Sequence, residues 1–219
     1  MPRSDVARLS DVVQLPVDPI TDPVLAIVQA EESASVANHS IRSYLFARLL
    51  ARHEGLVVGR DVGERELFVA CVLHDIGLTT RGNGTQRFEV DGADAAVAIL
   101  EPLGVPDTDA ALVWEAIALH TSPGIAERRG PLAYLTRGGI GIDFGRGSAA
   151  VTDEQAAIVF DTYPRLQMAT SLVDDIVAQA RANPAKAPRY SIAGELLRER
   201  SASPTSELER ETDAARWGN

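Results

Sequence analysis

A single cysteine, a single lysine and the lack of any long apolar run set the outer limits of this chain. Cys71 is the only cysteine in 219 residues, so no intrachain disulfide can form. It sits inside an apolar run, where small core filler is its plainest role. No run of about 18 apolar residues exists, so no membrane span is expected. The opening residues Pro2-Arg3-Ser4-Asp5 lead into no apolar stretch of the kind a secretory signal needs. The resulting expectation is a cytoplasmic protein. Positive charge is also scarce. Lys and Arg number 21 against 31 Asp and Glu, a net charge of −10, which argues against a nucleic-acid binder with a broad basic face. Arginine supplies nearly all of that positive charge, since Lys186 is the only lysine. No internal repeat and no convincing alternating strand pattern is present.

What is there is helical. The chain is 45% hydrophobic and 24% charged, and its length suits one compact domain with a large core. Residues 1–30 read as an N-terminal arm with one short helix near Val24 to Glu31. Residues 31–200 read as the helical domain, and 201–219 as a polar tail, frayed or loosely helical. A firm pattern starts after Ser33 or Ser35, either of which can cap it, and Gly55 can end it. Val36, His39, Ser43, Phe46 and Leu50 share one face, and Ile41, Leu45 and Leu49 another. Two apolar faces predict a central, buried helix.

Asp61 and Glu64 have capping-box spacing for a second buried helix, from about Val62 to Asp75, with Gly77 as its left-handed terminal residue. Residues 79–88, with two glycines around Asn83, read as a mobile loop. Further helices are expected at about 91–101, 107–121, 131–144, 153–162, 166–182 and 189–200, punctuated by prolines.

Chemistry points to His74-Asp75. The pair ends the apolar run Leu67 to Leu73, and a buried carboxylate beside an imidazole needs a partner. The carbonyl end of a helix also favours a cation. His39, His120 and Asp143 are separated candidates that can converge on the same ion. Each has a plainer alternative: a satisfied core histidine for His39, a helix end for His120, a cap for Asp143. Two histidines and two carboxylates would balance a +2 ion and leave room for an acidified water.

The motifs His39-Ser40-Ile41-Arg42, Val72-Leu73-His74-Asp75-Ile76-Gly77 and the later Asp143 resemble the HD-domain superfamily of metal-dependent hydrolases. Arg87 to Asp94, Trp114 to His120 and Tyr163-Pro164-Arg165 further resemble its cyanamide hydratase-like branch. The resemblance implies an all-α HD-domain helical bundle with a metal site in its core, held by His39, His74, Asp75 and Asp143. Two-metal members carry a histidine where this chain has Phe88, and paired histidines where it has His120-Thr121. One divalent ion is therefore expected. Mixed His/Asp ligation suits zinc first, with iron, manganese or nickel as alternatives.

His120 is then available as a proton shuttle, with Glu89 and Asp75 as further catalytic candidates. Arg42, Thr79, Phe88 and Trp114 are candidate substrate contacts, although Trp114 and Thr79 have ordinary packing and loop roles open to them. The implied activity is a hydratase or hydrolase in which metal-activated water attacks a small nitrile-like (cyanamide-like) or amide-like substrate. A phosphohydrolase acting on a nucleotide or other phosphate ester, and a non-catalytic binding module, are the alternatives. A small closed pocket would favour the first and an open, arginine-lined one the second. The expected partner is a small molecule, with no nucleic acid or membrane, and a homo-oligomer is left open.

Overall fold

A computed structural model describes residues 11–219. Among these the chain forms ten α-helices and no strand, only an isolated bridge between Val58 and Val62. The helices are α1 (Thr21–Glu31), α2 (Ala34–His53), α3 (Glu64–Val72), α4 (Phe88–Leu100), α5 (Asp107–Ala118), α6 (Pro131–Asp143), α7 (Asp153–Thr162), α8 (Met168–Ala182), α9 (Ile192–Ala202) and α10 (Glu207–Ala214). The expected all-α architecture is what the structure has.

α2 is the central element. Ser33 caps it by accepting from Val36 N, and Gly55 follows it in the left-handed conformation. Its two apolar faces are both covered, and His39, Arg42 and Ser43 are buried with them. α6 crosses it at close range. A Cβ on Gly139 would lie 2.1 Å from the Ser43 carbonyl oxygen, so only glycine permits this approach. The main core joins α2 to α3, α4, α5 and α6. A second apolar cluster links Phe88, Ile140 and Phe144 to α8 and α9. The candidate site lies along the second cluster's border with the first.

Several local expectations change. α3 begins after Gly63 with no side-chain cap, because Asp61 instead accepts from Val57 N and pairs with Arg60. α3 also stops at Val72, before His74-Asp75. Gly77 lies in a short 3₁₀ turn, Ile76–Leu78, and is not left-handed. Its requirement is spatial: a Cβ there would lie 2.0 Å from the Phe88 carbonyl oxygen and 2.8 Å from Gly92 N. That contact seats the turn against the start of α4. The loop at 79–88 is pinned, since Asp91 accepts from Gly84 N and Gln86 N. The Lys186 ammonium binds Asp91, Asn83 and the Gly84 carbonyl from the other side. The last 19 residues are docked as well. Ser206 and Glu209 form a capping box on α10, Trp217 stacks on Phe46 with centroids 5.7 Å apart, and Asn219 accepts from Ala169 N. No helix is long and apolar enough to cross a membrane among the described residues.

Candidate metal centre

The end of α3 at Val72 decides how His74 and Asp75 are presented. Freed from helical spacing, both side chains turn to one point, where His74 Nε2 and Asp75 Oδ2 stand 3.0 Å apart. His39 reaches the same point from α2, with its Nε2 3.3 Å from His74 Nε2 and 3.9 Å from Asp75 Oδ2. His120 approaches from beyond the end of α5, its Nε2 3.9 Å from Asp75 Oδ1. All four side chains are buried.

Each histidine is held by its other nitrogen. His74 Nδ1 donates to the Cys71 carbonyl and His120 Nδ1 to the Ile117 carbonyl, both at 2.7 Å. A carbonyl oxygen can only accept, so the neutral form of each ring carries its proton on Nδ1 and turns the Nε2 lone pair to the centre. His39 Nδ1 donates to Asp143 Oδ2 at 2.6 Å, with the same result.

Asp143, expected as a ligand, is placed behind His39 and outside the His39–His74–Asp75 group. Its oxygens are already taken: Oδ1 accepts from Arg42 Nε and Arg165 Nη1, Oδ2 from Arg42 Nη2 and His39. Burial alone would raise its pKa, but Arg42 and His39 outweigh that and hold it far below the usual carboxylate range. Such a carboxylate behind a ligating histidine fixes the ring and raises its basicity.

The residues fit a divalent cation. His39, His74 and Asp75 offer ligand atoms that all lie within 4.8 Å of one another. Tetrahedral bonds of about 2.0–2.2 Å would set ligand atoms roughly 3.3–3.6 Å apart. Asp75 Oδ2 is buried and accepts no hydrogen bond, an orphan acceptor that a cation would satisfy. Burial opposes ionisation of Asp75, yet His74, His120 and His39 pull its pKa down to about 2. Burial pushes His120 down to about 4, so its imidazole is neutral at pH 7.

The remaining candidates divide. Phe88 lines the cavity, with its ring 5.6 Å from that of His120. Glu89 is buried beside it, accepts from Thr121 Oγ1 at 2.6 Å and pairs with Arg87, so it braces the His120-Thr121 turn. Arg42 faces away from the cavity, spent on Asp143 and on the Tyr163 and Pro164 carbonyls. Thr79 donates to the Ile76 carbonyl and closes its turn. Trp114 donates to Asp94 on the outer side of α4 and α5. Arg42, Thr79 and Trp114 do not line the cavity; of the four expected substrate contacts, Phe88 does. Sequence reading missed Glu32, whose Oε1 is shielded and unpartnered near Asp75, and the anchoring role of Lys186. Being the sole lysine was the one available signal for the latter.

The HD-domain family profile matches residues 36–180. The chain belongs to the HD-domain family. The matched span runs from α2 into α8 and contains His39, His74, Asp75, His120 and Asp143. HD domains are typically metal-dependent hydrolases, and the His39–His74–Asp75 group is a set that could hold the corresponding divalent metal. Comparison with curated proteins returns no match.

Proposed function

We propose that this HD-domain protein is a metal-dependent hydratase or hydrolase of a neutral substrate bearing an electrophilic nitrile-like or amide-like carbon. The observation that carries this reading is the placement of its arginines. A phosphate ester would call for free cationic groups beside the ligands. Arg42 and Arg165 instead lie behind Asp143, and the cavity-lining Arg137 and Arg146 are paired with Glu127 and Glu211.

A divalent ion held by His39, His74 and Asp75 supplies Lewis acidity toward water and substrate. The chain's own groups supply the rest. His120, neutral and with Nε2 facing inward, takes a proton from water and passes it to the substrate nitrogen. Its ring is kept in that orientation by the Ile117 carbonyl and by the Glu89–Thr121 brace. Phe88, Ile140 and Phe144 exclude water and lower the local dielectric, which strengthens the charge interactions at the ligands. Family membership fits a phosphohydrolase equally well. The test is direct: metal-reconstituted protein is offered cyanamide, small nitriles, primary amides and a nucleotide panel. Turnover of nucleotides with none of the neutral compounds would overturn the proposal.

A further inference from the structure

The cavity that reaches His39, His74 and Asp75 has a volume of about 580 Å³. This is larger than the small closed pocket expected for a cyanamide-sized molecule, and its two lining arginines, Arg137 and Arg146, are paired with Glu127 and Glu211. Liquid water takes about 30 Å³ per molecule, and cavities of about 300–1,000 Å³ are those that enclose drug-sized ligands. Beside the ligand group its walls include Phe88, Ile140, Phe144, Leu172 and Ile176, all members of the second apolar cluster.

Gly141, in the last turn of α6, lines the same cavity. Its neighbours Gly138 and Gly139 have packing reasons, because a Cβ would meet Leu50 Cδ2 at 2.3 Å or the Ser43 carbonyl at 2.1 Å. A Cβ on Gly141 would meet only Arg146 Cβ, at an ordinary 3.8 Å. Its backbone is not left-handed. Glycine therefore weakens the helix there with no gain in packing or conformation. The space it leaves belongs to the cavity.

We infer that the substrate carries an apolar body of several carbons, seated against Phe88, Ile140, Phe144, Leu172 and Ile176, and that Gly141 keeps room for it. The inference rests on the proposed function only for the identity of the reactive head. The head meets His39, His74 and Asp75, and the body sets selectivity by size.

The experiment has two arms. Metal-free protein is titrated with primary amides from butanamide to octanamide, followed by NMR shifts. The zinc-loaded protein is then assayed for hydrolysis of the same series. Affinity is expected to rise about fourfold per methylene, the equivalent of about 0.8 kcal/mol per buried CH₂. Gly141→Leu should lower the preference for octanamide over butanamide by tenfold or more. Leu172→Trp, which intrudes from α8, should do the same. Length-dependent binding with no turnover supports the apolar body and defeats the amide reading of the proposed chemistry. Affinity flat with chain length, or a loss in both variants equal across the series, overturns the inference. Turnover confined to the shortest amide overturns it too while leaving the chemistry standing.

Discussion

His39 and Asp143 meet through a 2.6 Å hydrogen bond, on the side of the imidazole that faces away from His74. That contact separates a ligand set from its support. Asp143→Asn should weaken metal affinity by about 10–100-fold rather than abolish it. It should also destabilise the metal-free protein by about 3–5 kcal/mol, since Arg42 and Arg165 lose a buried counter-charge. Metal titration and denaturant unfolding of the metal-free variant check this. Complete loss of metal with unchanged metal-free stability would return Asp143 to the ligand set.

Glu32 gives a pH dependence with a definite sign. Burial, then the charges of Asp75 and Asp175, raise its pKa well above the ordinary carboxylate value. The folded metal-free protein then holds a proton that the unfolded chain gives up above about pH 4.5. Its contribution is favourable below that pH and is lost as pH rises toward the folded pKa. Glu32→Gln should therefore raise the Tm of the metal-free protein at pH 7 and have little effect at pH 4, while its amide oxygen still accepts from Ser40. Thermal scans at the two pH values decide it, and a destabilised variant at pH 7 would refute the sign.

His120 separates two roles cleanly. His120→Ala should keep the metal and lose about 10²–10⁴-fold in turnover, the usual worth of a positioned acid–base group. Metal content and rate measured on one preparation test this. Low metal would make His120 a fourth ligand, and full activity would remove it from the chemistry.

Lys186 and Asp91 form a buried pair across 95 positions of sequence. Lys186→Met should cost about 3–5 kcal/mol by stranding the Asp91 charge. Adding Asp91→Asn should recover part of that loss. Unfolding measurements on the two single variants and the double variant give the coupling, and simple additivity would show that the pair does not act as a unit.

The sequence made some of this visible and hid the rest for physical reasons. Apolar periodicity exposed α2 as a two-faced buried helix, and an apolar run ending in His-Asp exposed the ligand pair. Asp143 was legible as part of the site but not as support. Which shell it occupies depends on Arg42 and Arg165, brought to it by the fold from about 100 and 22 positions away. Gly77 read as a helix terminator because local pattern shows a breaker, not the α4 backbone pressed against it. The C-terminal residues read as a tail because their composition is polar. Their docking rests on Trp217 and Asn219, two contacts with distant helices that no window of sequence displays. The loop at 79–88 read as mobile for the same reason, its anchor being Lys186.

The central claim is a single divalent ion held by His39, His74 and Asp75. Elemental analysis of protein purified with zinc in the medium, beside Asp75→Asn prepared in parallel, tests it most directly. The account predicts a stoichiometry near one ion per chain, reduced to a small fraction by the substitution. A stoichiometry near two, or full metal retention in Asp75→Asn, would contradict it.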